Sequence, residues 1–187
     1  MTLAVSDESS PLTPLRSDRP PQHMPTPLTN DRWGYESNCF VCEARNASGL
    51  QIPFHLADGG DVVFADFRLG SDHSGAPTLV HGGVSLAILD EAQAWACIAI
   101  EAKWALTHTT SATFDQPVFV DHDHRVEARI VSAQDGRIET TAAIHDTNGQ
   151  TLVQSTASFI VLGDVDPQQQ ALGLGEHHQH LLGEEPR

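Results

Sequence analysis

The 187-residue sequence predicts an α+β domain in which one antiparallel sheet wraps a single long helix. Three observations carry this. A run without Gly or Pro, rich in Ala, Leu and Ile, extends from Val84 to about residue 101. Two short strand-like segments precede it and four follow. The later segments are joined by tight-turn sequences, which connect antiparallel neighbours rather than parallel ones.

In chain order, residues 1 to 32 hold Pro11, Pro14, Pro20, Pro21, Pro25 and Pro27 among Ser, Thr and Asp, and read as a disordered arm. The domain is expected over 33–163, with a flexible acidic and His-rich tail over 164–187. Residues 50–56 and 62–69 read as strands around the turn Asp58-Gly59-Gly60. Residues 70–80 form a Gly, Ser, Asp and Pro loop. The run from Val84 is a helix of about five turns, apolar nearly all round and therefore central. Strands are expected near 106–115, 124–133, 137–146 and 150–162, with turns at Gln134-Asp135-Gly136 and Asp146-Thr147-Asn148-Gly149. Ile138, Thr140, Ala142 and Ile144 alternate with Glu139, Thr141 and Ala143, the pattern of a half-buried strand.

The net charge is −15, from 25 acidic and 10 basic residues. Nucleic acid and anionic membranes demand the opposite sign. No apolar run approaches the roughly 20 residues of a membrane span, and no signal-peptide pattern opens the chain. Three cysteines, Cys39, Cys42 and Cys97, are too few and odd in number for a disulfide framework and fit a reducing cytoplasm.

The chemistry concentrates at His81-Gly82-Gly83 and Asp90. Two glycines at a helix entry allow close approach of a ligand to free backbone N–H groups at the positive end of the helix dipole. Such a turn can stabilise an oxyanion. Asp90 lies seven residues after Gly83, on the same helix face as Ala87 and Ala94, whose small side chains leave room for substrate. A carboxylate on an apolar helix is costly unless used or paired. Glu91 points about 100° away and shares or replaces the role of Asp90 in an alternative assignment.

This segment resembles the hotdog-fold acyl-CoA thioesterases of the PaaI-like branch, which show H-G-G, six variable residues, then Asp or Glu. Cys39-Phe40-Val41-Cys42 with Gly49-Leu50 is similar to the branch's N-terminal signature. Ser74-Gly75-Ala76-Pro77 sits at its Gly-rich approach, and Thr107 to Pro117 at the strand after the helix, ending F-x-x-P. The resemblance covers about residues 36–163.

It implies a homodimer with sheets joined edge to edge, or a dimer of dimers, and an active site at the interface. The Gly82 or Gly83 amide would polarise the thioester carbonyl. Asp90 of the other subunit would act as nucleophile or general base. Thr107 would place water or substrate beside that carboxylate, and His81 would orient the turn or contact the thioester. Gly75, Ala87 and Ala94 would line the substrate. Related sequences often carry Arg or Lys before the F-x-x-P proline. Asp115 and Gln116 stand there, so Arg125, Arg129 and Arg137 are the nearest bases for a CoA phosphate. No cofactor is implied beyond CoA as part of the substrate. The alternatives are a carrier-protein thioesterase and a non-catalytic acyl-binding hotdog protein.

Cys39-x-x-Cys42 has a spacing used by zinc and redox sites, but a structural zinc site takes four ligands and no second pair exists. It reads as a packed turn, with no metal expected. Cys97 reads as a small buried hydrophobe, His122 and His124 as a polar loop, and His177, His178 and His180 as a solvated tail. Trp95 and Trp104 read as core or interface aromatics.

Overall fold

A computed structural model describes residues 24–30, 37–166 and 171–174. Its helix, α1, spans Gly82–Ala99. Ahead of it lie β1 (Thr26–Leu28), β2 (Phe54–Leu56), β3 (Val63–Arg68) and the short β4 (Ser74–Ala76) and β5 (Leu79–Val80). After it come β6 (Lys103–Phe114), β7 (Asp123–Gln134), β8 (Arg137–Asp146), β9 (Thr151–Asp166) and β10 (Ala171–Leu174). The main sheet is antiparallel, in the order β1-β2-β3-β7-β8-β9. β9 outruns β8, so β10 pairs with its end, while β6 pairs with its other edge.

The sheet curls around α1. Ile88, Leu89, Ala92, Trp95 and Ala96 of the helix pack against Val63, Ala65, Val126, Ala128, Ala142, Ile144 and Val153. Each large apolar side chain so buried contributes roughly 1.5–3 kcal/mol. The alternation read in β8 is realised: Ile138, Thr140, Ala142 and Ile144 are all buried and Glu139 is exposed. Asp135 and Gly136 both have positive φ (53° and 72°), the backbone of a two-residue hairpin turn.

Several boundaries differ from the sequence reading. α1 begins at Gly82 because His81 serves as its N-cap, a residue outside the usual Ser, Thr, Asp and Asn signals. The strand expected over 50–56 shortens to Phe54–Leu56. Leu50 N–H and Ile52 N–H instead donate back to Phe40 O and Val41 O (2.7 and 2.8 Å), with Gln51 at φ 54° between them. Part of the Pro-rich segment is structured: β1 pairs with β2, and Leu28 is buried. Pro27 is compatible with this because β1 is an edge strand. The tail expected from residue 164 likewise contains the end of β9 and β10. His124 is not in a polar loop but buried on β7, stacked on Phe67 at 5.5 Å between centroids. The rest of the arm and the histidines His177, His178 and His180 lie outside the described residues.

Candidate active site

The entry to α1 is built around the His81 ring. Its Nδ1 accepts from Gly83 N–H at 2.9 Å, so in the neutral ring the proton sits on Nε2. Val84 N–H and Ser85 N–H donate to His81 O (2.9 and 3.1 Å). Of the first helical amides, Gly82 N–H alone has no partner among the described residues. The Gly82-Gly83 pair therefore splits: Gly83 is committed to the cap, and Gly82 is the available donor. Gly75 has a packing role. A Cβ there would lie 3.0 Å from His81 Cα, so glycine lets the preceding loop close against the capping residue and a larger residue would push the two apart by a few tenths of an ångström.

Two cavities flank this entry. One, of about 540 Å³, is bordered by Phe40, His73, His81 and Val84. The other, of about 290 Å³, is bordered by Gly82, Ser85, Phe114 and Pro117. A larger concavity of about 780 Å³ lies over β3, β7 and β8, between Asp66, Arg125 and His145. Neither the turn nor Asp90 borders it, so its size alone does not make it the site.

Two turns into the helix, Thr107 Oγ1 on β6 donates to Asp90 Oδ1 at 2.8 Å. The sheet register explains the reach. Thr107 pairs with Phe159 and Thr109 with Ser158, so His108 is the extra residue of a β-bulge. Such a bulge re-aims neighbouring side chains, and no pattern in the sequence announced it. Ala87, Asp90 and Ala94 are all half-buried, while Ile88, Leu89, Ala92 and Trp95 are buried. The stripe expected to face substrate is thus the less covered side of the helix.

Glu91 goes elsewhere. It is half-buried, and its Oε2 lies within hydrogen-bond distance of Cys39 Sγ, at 3.3 Å. Burial, then the charge of Cys39, pushes its carboxyl up to about 8. A hydrogen bond with the Cys42 thiol, against the opposing effect of burial, holds Cys39 down to about 5, assisted by backbone amides; the same bond and burial push Cys42 up. Glu91 therefore does not share the Asp90 position. It belongs to a separate cluster under the segment 37–52, and Gly49 is what lets that segment close: a Cβ there would lie 2.5 Å from Phe40 O.

The arginines are not brought to Asp90. Along β7, His124, Val126 and Ala128 face the helix, so Arg125 and Arg129 face the outer side of the sheet. Arg125 makes a bidentate pair with Asp66 (2.7 and 2.7 Å) and lies 4.6 Å over the Phe64 ring. Arg129 pairs with Asp61 at 3.1 Å. Arg137 is exposed at the start of β8, where its buried neighbour Ile138 faces the core. Outward-facing positions of a period-2 pattern cannot reach a helix on the other side.

Residues 78–153 match the family model of the thioesterase superfamily. No curated protein gives a significant match. Among solved structures, the chain is similar to a thioesterase superfamily protein at 24% identity and TM-score 0.62, over 70% of this chain and 64% of that one. It thus spans under two thirds of that neighbour's length. The PaaI protein of the E. coli phenylacetic acid degradation operon aligns at 16% identity and TM-score 0.56, over 62% of this chain and 83% of that one. A Streptococcus mutans protein bound to acetyl CoA aligns at 14% and TM-score 0.54, over 57% and 85%. The fold is the hotdog fold, and the resemblance to thioesterases read from the sequence is borne out.

Proposed function

We propose that this chain hydrolyses an acyl or aryl thioester, with Asp90 as nucleophile or general base and the Gly82 N–H as carbonyl donor. The observation that carries the reading is the Thr107–Asp90 hydrogen bond on the less covered stripe of a central helix. A hydroxyl donor holds one carboxylate oxygen and leaves the other to attack or to activate water.

One chain alone does not complete this site. Gly82 and Asp90 are eight residues apart on α1, about 12 Å at 1.5 Å per residue. A carbonyl must lie about 3 Å from its donor, with its carbon as close to the attacking group. The two groups therefore serve the same thioester only if they come from different subunits. β6 supports that arrangement. It is 12 residues long, pairs with β9 alone among the described residues, and exposes Leu106 and Phe114 by half. A long edge with one Lys is a template for a second copy, so a homodimer joined through β6, or a dimer of such dimers, is the proposed working form. No helix among the described residues is long and apolar enough to cross a membrane. The free thiols of Cys39, Cys42 and Cys97 support a reducing, cytoplasmic setting.

CoA is the proposed carrier, supported by the acetyl CoA named with the S. mutans neighbour. The outward, ion-paired Arg125 and Arg129 favour a second reading, a thioester on a carrier protein or other thiol without the CoA nucleotide. Thiol release across acyl-CoA lengths, aryl-CoAs and pantetheine thioesters decides between them. Equal kcat/KM with CoA and pantetheine supports the second reading. Saturable binding without thiol release from any thioester would sink hydrolysis and leave an acyl-binding protein.

A further inference from the structure

We propose that Cys39, Cys42 and Glu91 form a site for one thiophilic divalent cation, Zn²⁺ by ligand chemistry, which pins the segment 37–52 to helix α1. The proposal goes beyond the thioesterase reading and does not depend on it.

One ligand atom from each of these side chains lies within 4.8 Å of the other two. The Cys39 Sγ to Glu91 Oε2 distance is 3.3 Å. Zn–S bonds of about 2.3 Å and Zn–O bonds of about 2.0 Å put tetrahedral S···O edges near 3.5 Å and S···S edges near 3.8 Å. The cluster thus needs only small side-chain rotations to close around an ion. Both sulfurs also receive N–H donors suited to thiolates. Val41 N–H donates to Cys39 Sγ at 3.3 Å, and the buried Asn30 Nδ2 to Cys42 Sγ at 3.6 Å. Donors of this kind orient and stabilise metal-bound ligands.

Counting cysteines missed this site because the third ligand comes from the helix, 49 residues beyond Cys42 by the numbering. Two thiolates and a carboxylate carry three negative charges, which one divalent cation reduces to one. A Cys39–Cys42 disulfide would instead leave the half-buried Glu91 carboxylate with no counter-charge. Three protein ligands leave the fourth position to water. Glu91 directs the ion away from the Asp90 stripe, so the expected role is to hold residues 37–52 against α1.

The test is Co²⁺ titration of the full-length, metal-free chain kept reduced by a phosphine. We expect one Co²⁺ per chain with a thiolate-to-cobalt charge-transfer band in the near ultraviolet, lost on adding one equivalent of Zn²⁺. His177, His178 and His180 can bind cobalt but cannot produce that band. Cys39→Ser and Cys42→Ser should each abolish or greatly weaken it, with folding checked by circular dichroism. Glu91→Gln should weaken Co²⁺ binding at least about 10-fold. The absence of a charge-transfer band in the folded wild-type chain overturns the site. Unchanged Co²⁺ affinity in folded Glu91→Gln removes the carboxylate from it and overturns the proposal as stated.

Discussion

Asp90 and Glu91 are neighbours in sequence and opposites in environment. Asp90 lies on the less covered stripe of α1, held by the Thr107 hydroxyl. Glu91, about 100° further round the helix, is packed under the segment 37–52 among two thiols. Burial first, and then the charge of Cys39, push its carboxyl up to about 8. One helix thus carries one acid on an accessible face and one locked into packing. Helical phase decides which of two adjacent carboxylates meets the Thr107 hydroxyl and which meets the thiols.

The sharpest way to break this comparison is to neutralise each acid in turn. Asp90→Asn should lower kcat by about 10²–10⁴-fold, the usual contribution of a positioned acid or base, with fold and oligomer intact. Glu91→Gln should leave kcat within a few-fold. Thiol release measured beside size-exclusion profiles checks both. If the Gln variant is the inactive one, the roles are reversed and the Thr107 contact is incidental. Thr107→Ala comes next. Losing a hydrogen bond to a charged group costs roughly 1.5–3 kcal/mol, or about 10- to 100-fold in kcat/KM. Thr107→Ser should recover most of it, because the donor returns.

Much of this was legible in the sequence, for identifiable reasons. The helix, the two hairpins and the alternation of β8 follow from period and turn chemistry, which act over a few residues. The Asp90 stripe follows from helical phase, and the partial exposure of Ala87 and Ala94 agrees with it. What escaped is an atypical local cap, strand phase at two arginines, and contacts between distant chain segments. The His81 cap takes the Gly83 amide, leaving Gly82 as the donor of the pair without a partner among the described residues. The bulge at His108 aims Thr107, and register in a long pairing cannot be read from one strand. The Cys39–Glu91 contact spans the loop, the four strands β2 to β5 and the turn into α1. Proximity in sequence singles out Arg125 and Arg129, although strand alternation turns them to the outer face.

The turn sharpens the same contrast between an open face and a packed one. Gly82→Ala adds a Cβ about 3.5 Å from the Phe114 ring, an ordinary contact. Ala is also the better helix former by about 0.5–1 kcal/mol. Thermal stability should therefore hold or rise. The new methyl crowds the approach to the Gly82 N–H, which has no partner among the described residues, so kcat/KM should fall, by about 100-fold if that amide is the oxyanion donor. An active, stabilised variant would remove Gly82 from the mechanism.

The smallest effect is expected on the outer face of the sheet. Arg125→Ala removes a bidentate but exposed pair with Asp66, so a loss of only about 0.5–1 kcal/mol is expected. Its pH dependence has a definite sign. The Arg125 guanidinium, chiefly through its hydrogen bonds, holds the Asp66 carboxyl below its ordinary 3.8 in the folded chain. The unfolded chain therefore takes up the proton first as pH falls. The stability due to the pair is present above the ordinary value and disappears as pH drops through the lower, folded one. Wild type and Arg125→Ala should differ in denaturation midpoint at pH 7 and converge at strongly acidic pH. KM for a CoA thioester should be unchanged, because the sheet separates Arg125 from the Asp90 stripe. A tenfold rise in KM without loss of kcat would mean that a second subunit brings its substrate over this outer face. Arg125 would then be a phosphate contact, and the reading in which the carrier lacks the CoA nucleotide would fail.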